Sequence, residues 1–131
     1  MKNIAKKIML ADDDEGIVDA IETMLYFEGY EVIATTRGER VLLTEHNLPD
    51  LFLLDIWMSG EDGTEICRKL KSQPLTRNIP VLMISASKDI RQSAIDAGAD
   101  DYLPKPFEME QLLQKIEHLI ARTPAANPFM G

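Results

Sequence analysis

Four places in this chain carry residues that could do chemistry together. Three consecutive aspartates, Asp12-Asp13-Asp14, close a short apolar run that begins at Lys7. Asp55 interrupts a second apolar run, Leu51-Phe52-Leu53-Leu54-Asp55-Ile56-Trp57-Met58. Ser85 ends a third, Val81 to Ile84, and Lys105 stands between Pro104 and Pro106. Adjacent carboxylates repel one another unless a cation sits among them. A carboxylate inside an apolar run is partly buried, and buried charges are paired or bind metal. A donor set of carboxylates without histidine or cysteine suits a hard divalent ion such as Mg2+, which takes oxygen ligands from protein, water and phosphate. A carboxylate beside such an ion and an ammonium can attack a phosphoryl group and become an aspartyl phosphate. Lys105 would supply the ammonium, and the Ser85 hydroxyl can donate a hydrogen bond to a phosphoryl oxygen.

Each of these residues also has an ordinary reading. Asp14 or Asp13 can be the N-cap of a following helix, because an aspartate oxygen satisfies the free N–H groups of the first turn. That role does not account for three aspartates in a row. Asp55 can be a helix cap or turn residue, and Lys105 a solvated lysine, although two flanking prolines stiffen its backbone. His46 and His118 lie far apart in helix-like segments and are read as solvated helix-face residues. With Cys67 as the one cysteine, an intrachain disulfide and a cysteine-based zinc site are both excluded.

The elements that would carry these residues alternate regularly. Short apolar runs at 7–11, 30–34, 51–54, 81–84 and 101–103 read as strands. The segments between and after them have helical spacing. In 14–28, Ile17, Val18, Ile21, Met24 and Leu25 make one apolar face, and Gly29 is placed to end the helix. Shorter helices are expected over 37–46, 64–72 and 87–97. The clearest covers 107–121, with Leu112, Leu113, Ile116, Leu119 and Ile120. Continuously apolar strands between amphipathic helices predict an α/β fold, a doubly wound parallel sheet covered on both faces in three layers. In such a sheet ligands bind outside the carboxyl ends of the strands, so acid, acid, hydroxyl and amine converge on one edge.

At 131 residues the chain fits one domain, and 45% apolar content is enough to close a core. Residues 1–121 are read as that domain, and 122–131, with Pro124 and Pro128, as a disordered tail or the start of a linker. The net charge of −8 disfavours direct contact with nucleic acid. No apolar stretch approaches the ~20 residues needed to span a bilayer. The run Ile8–Ala11 is too short for a secretory signal. The chain is therefore expected in the cytoplasm, without a membrane partner.

Four stretches in order resemble the receiver domain of two-component response regulators: Ile8 to Glu15, Asp50 to Gly63, Ile79 to Ala86 and Gly98 to Phe107. The resemblance covers about residues 5–121. It implies a flavodoxin-like fold with strand order 2-1-3-4-5. It also implies a phosphoryl group taken from a histidine kinase or phosphotransfer protein. By position, Asp55 resembles the phosphoacceptor. Asp12 and Asp13 resemble the acidic pair that binds Mg2+ (with Mn2+ as a substitute), Asp13 being favoured as the direct ligand. The Trp57 backbone carbonyl would be a further ligand. Ser85 matches the switch hydroxyl, Lys105 the phosphate-contacting lysine, with a cis bond to Pro106, and Tyr102 the aromatic switch residue. Output would pass to a partner protein or a missing output domain through the face of the fourth helix, fifth strand and fifth helix. Such a chain would catalyse only its own phosphorylation and dephosphorylation, and so would not count as an enzyme.

Two residues depart from the family pattern. Ser59 stands where proline is usual, and Trp57 is large for its place, which suggests that its side chain shields the acyl phosphate from water. A metal-dependent phosphohydrolase of similar topology would want a second acid at 57. A flavin-binding domain would not place three aspartates in its phosphate loop. A phosphorylation-independent adapter would have no use for the intact acidic site.

Overall fold

The structure is a computed structural model that describes residues 5–43, 48–58, 60–86 and 89–122. Its elements are β1 (Lys7–Ala11), α1 (Glu15–Phe27), β2 (Glu31–Thr35), a 3-10 segment (Gly38–Leu43), β3 (Leu51–Asp55) and a short hairpin of β4 (Trp57–Met58) and β5 (Glu61–Asp62). They continue with α2 (Gly63–Ser72), β6 (Val81–Ser85), α3 (Ile90–Ala97), β7 (Asp101–Pro104) and α4 (Met109–Arg122). The main sheet has the order β2-β1-β3-β6-β7, and every neighbouring pair is parallel. Leaving the hairpin aside, this is the expected 2-1-3-4-5.

The central strands show why the apolar runs are continuous. β3 and β6 are buried at every position, because helices cover both faces. Side chains alternate between the two faces. Phe52, Leu54, Val81 and Met83 face one core, closed by Ile66, Cys67 and Leu70 of α2 and by Ile90, Ala94 and Ala97 of α3. Leu51, Leu53, Leu82 and Ile84 face the other, closed by Val18, Ile21 and Leu25 of α1 and by Leu112, Ile116 and Leu119 of α4. Burying a Leu, Ile or Phe side chain contributes roughly 1.5–3 kcal/mol. The two cores together therefore outweigh any single polar contact in holding the sheet edge rigid.

The second expected helix, 37–46, differs most from its reading. It is a 3-10 segment over 38–43, and the rest of that range, with His46, lies outside the described residues. Gly38 explains its tight seat: a Cβ there would come within 2.4 Å of Ile66 Cδ1 and 3.0 Å of Met58 Cε. The hairpin β4–β5 was not expected, and it lies between the end of β3 and the start of α2. Elsewhere the differences are one to three residues at element ends. Gly29 ends α1 with φ of 93° as expected. Ser59, Ser87 and residues 123–131 of the expected tail lie outside the described residues. Among the described residues, no helix is long and apolar enough to cross a membrane.

Candidate functional site

Ladder hydrogen bonds deliver each candidate residue to the carboxyl edge of the sheet. Asp12 N donates to Thr35 O at 3.2 Å, one step beyond the end of β1. Asp55 is the last residue of β3, opposite Ile84, and Ile56 N donates to Ile84 O at 3.0 Å. Ser85 is the last residue of β6, and Lys105 N donates to its carbonyl at 2.8 Å. Four separate strand ends thus converge because the sheet is parallel and its register is set by apolar burial.

The side chains meet as the strand ends do. One carboxylate oxygen from each of Asp12, Asp13 and Asp55 lies within 4.8 Å of the others. Asp12 is fully buried, Asp55 is 6% exposed and Asp13 faces solvent. Lys105 Nζ bonds Asp12 Oδ2 at 2.9 Å and Asp55 Oδ2 at 3.4 Å. Burial pushes the Asp55 carboxyl up to about 6 from its ordinary 3.8. The Asp12 charge adds to the rise, and Lys105 opposes it. Burial alone would lower the Lys105 ammonium, but hydrogen bonding to Asp12 and the charges of Asp55 and Asp12 win, and it is raised.

Among the described residues, three carboxylates gather at the Lys105 ammonium, Asp12 and Asp55 buried and Asp13 on the solvent side. Their oxygen donors lie close enough to share one small ion. This donor set fits Mg2+ or Mn2+, hard cations that prefer carboxylate oxygens. The open question of which aspartate caps α1 is answered by Asp14, whose Oδ1 accepts from Gly16 N at 3.0 Å and Ile17 N at 3.2 Å. Asp12 in turn accepts from Asp14 N at 2.9 Å, which aims its second oxygen at Lys105. The triplet therefore divides into one cap and two cluster members.

The remaining candidates stand around this cluster. Trp57 lies two residues beyond Asp55, its backbone paired with Asp62 across the hairpin, and its side chain is 60% exposed. Ser85 is buried, and alternation puts it on the same sheet face as Val81 and Met83. Tyr102, opposite Met83 in the ladder, packs half-buried against that same core. The peptide bond between Lys105 and Pro106 is cis. His118 is exposed on α4, as read from the sequence.

Sequence reading gave no part to Asp62 or Glu61. Asp62 caps α2 by accepting from Thr64 N at 2.9 Å and Thr64 Oγ1 at 2.6 Å. The Asp-Gly-Thr order ahead of an apolar helix face was a readable cap signal. Glu61 Oε1 accepts from Gly38 N at 3.0 Å and ties the hairpin to the 3-10 segment. No local pattern predicts that contact, which joins residues 23 positions apart. The buried Cys67 thiol is pushed up to about 11 by burial, so it is a core residue and not a nucleophile.

Comparison with known proteins agrees with this geometry. A sequence model of the response regulator receiver domain matches residues 8–117. The chain belongs to the response regulator receiver family. The response regulator MprA of Mycobacterium sp. (strain KMS) is 39% identical over 120 residues, which cover 89% of this chain and 51% of the relative. The chain thus spans about half the length of that relative. A CheY-like response regulator receiver domain protein from Methanospirillum hungatei JF-1 is 31% identical. It superposes with a TM-score of 0.84, covering 92% of this chain and 97% of the other. The receiver domain of the sensor histidine kinase PA1611 from Pseudomonas aeruginosa PAO1 is 28% identical with a TM-score of 0.82. That match covers 90% of this chain and 99% of the receiver, whose structure holds a magnesium ion in its active-site cleft.

Proposed function

We propose that this receiver accepts a phosphoryl group on Asp55 from the phosphohistidine of a histidine kinase or phosphotransfer protein, in an Mg2+-dependent reaction. One observation carries the reading: Asp12, Asp13 and Asp55 share one small volume, and Lys105 bonds two of them. In the transfer, the P–N bond of the donor breaks and a P–O bond to Asp55 forms, while the released imidazole nitrogen takes a proton. Asp55 must be ionised to attack. Asp12, Asp13, Asp55 and the Trp57 carbonyl would hold the ion. Bound Mg2+ would offset the repulsion between the attacking carboxylate and the phosphoryl oxygens. Lys105 supplies a fixed positive charge for the oxygens of the transferred group, and the Ser85 hydroxyl donates to one of them.

Ser85 and Tyr102 share one face of the sheet, and this supports their pairing as a switch. Drawing Ser85 toward the phosphoryl group opens room for the Tyr102 ring and biases a two-state equilibrium. The change reaches partners or an output domain through the face of α3, β7 and α4. The chain turns over its own phosphate only. The domain works in the cytoplasm, and Arg122, read from the sequence as the first residue of the tail, instead closes α4.

Incubation with acetyl phosphate and Mg2+, followed by intact mass, tests the reading. Wild type gains one phosphoryl group, and Asp55→Asn gains none. Equal gain by the two proteins, or none by wild type, ends it.

A further inference from the structure

The backbone that carries Asp55 is held by a residue with no side chain. α2 begins at Gly63, whose N–H donates to Ile56 O across the base of the hairpin. A Cβ at this position would lie 2.1 Å from Asp55 O, and 3.0 Å from both Ile56 Cα and Ile56 O. All three neighbours are main-chain atoms, so no side chain can swing aside. Unlike Gly29, Gly60 and Gly98, Gly63 does not have a positive φ. Its backbone conformation is therefore open to any residue. Alanine is the better helix former at such a position, so close approach is what glycine supplies here.

What is approached is the most sensitive stretch of the site. Asp55 is locked to β6 by the ladder, Ile56 N is held by Ile84 O, and Trp57 is paired with Asp62. Gly63 adds the remaining tether, on Ile56 O. We infer that Gly63 is a positioning residue for phosphoryl acceptance: its missing side chain lets the start of α2 clamp residues 55–57 at the spacing that one small ion and Lys105 require. The inference rests on the receiver reading above and deepens it. A methyl group at 63 demands a shift of about 1 Å, and reaction geometries tolerate about 0.5 Å. The shift breaks the Gly63–Ile56 bond and moves the Asp55 carboxylate relative to Asp12 and Asp13.

The test uses the full chain and Mg2+ alone, followed by the fluorescence of Trp57, the only tryptophan, with circular dichroism and thermal melting beside it. Gly63→Ala is expected to stay folded and to bind Mg2+ about 10–100-fold more weakly, the usual cost of losing a residue that orients metal ligands. Leu70→Ala, a core change further along the same helix, serves as the control. It is expected to lower the melting temperature and keep wild-type Mg2+ affinity. Wild-type affinity in Gly63→Ala, or equal weakening in Leu70→Ala, overturns the inference. If Gly63→Ala does not fold, Asp62→Ala decides. It removes the bonds to Thr64 and loosens the first turn of α2 without adding an atom. Weakened Mg2+ binding there supports the clamp, and unchanged binding overturns it. A wild-type chain that takes neither Mg2+ nor a phosphoryl group fails at the underlying reading, and that result is distinct from a failure of Gly63 alone.

Discussion

Replacing Asp55 by asparagine should make the metal-free protein more stable, by an amount that depends on pH. The folded Asp55 carboxyl titrates at about 6 against an ordinary value of 3.8. A group raised in this way binds more protons in the folded state than in the unfolded one. Its contribution is therefore fully favourable below pH 3.8 and is lost as pH rises through 6. At 1.36 kcal/mol per unit, ionising Asp55 costs the fold about 3 kcal/mol by pH 7.5. The same linkage gives about 1 kcal/mol at pH 4.5. Asparagine keeps the shape and never ionises, so Asp55→Asn should exceed wild type by these amounts. For a chain of 131 residues, 3 kcal/mol corresponds to a rise in Tm on the order of 10 °C. The assay is urea or thermal unfolding of both proteins in EDTA at pH 4.5 and 7.5. Titrating groups that do not touch Asp55 are common to the two proteins and cancel in the difference. A gain of the same size at both pH values, or no gain at 7.5, refutes the idea that burial and the Asp12 charge strain this carboxylate. Saturating Mg2+ should then raise wild type more than the variant, because the ion binds the ionised cluster.

Lys105→Met removes the cation that bonds both Asp12 and Asp55. It should lower stability in EDTA at pH 7.5 by about 3–5 kcal/mol, the scale for orphaning a buried charge, with much of the loss recovered at pH 4.5; an unchanged unfolding midpoint contradicts this. Trp57→Asn leaves the fold unchanged, since the indole is 60% exposed. If the side chain slows hydrolysis of the acyl phosphate, the variant loses its phosphoryl group faster in a timed intact-mass assay, and an equal or slower loss removes that role. Cys67, fully buried with its thiol pushed up to about 11, should resist iodoacetamide at pH 8 in the native protein and react at once in denaturant. Leu112→Ala should cost about 2–5 kcal/mol in urea unfolding, because Leu112 is fully buried between α4 and the sheet.

The order of strands and helices, and the identity of the cluster, were legible in the chain itself. Apolar runs that break at Asp12 and Asp55 mark strands whose ends carry charge, and a parallel sheet brings all such ends to one edge. The runs 7–11, 51–54 and 81–84 needed no tertiary information to be read as strands, because their continuous apolar composition says so, and the structure extends the last two by one residue each. The last helix, read as 107–121 and found at 109–122, was equally plain, since Leu112, Ile116 and Leu119 lie on one stripe. Local pattern could not decide which of Asp13 and Asp14 caps α1, because both are aspartates one residue apart. The choice is made by the folded backbone, which sets Asp14 Oδ1 against the N–H groups of Gly16 and Ile17 and leaves Asp13 with Asp12 and Asp55. Nor could it foresee the hairpin at 57–62 or the 3-10 segment at 38–43. These depend on contacts between residues about 20 positions apart, such as Glu61 with Gly38 and Met58 against Gly38. Gly63 is the sharpest case. Nothing in its neighbours along the sequence requires a glycine, and only the approach of α2 to the main chain at Asp55 leaves no room for a side chain.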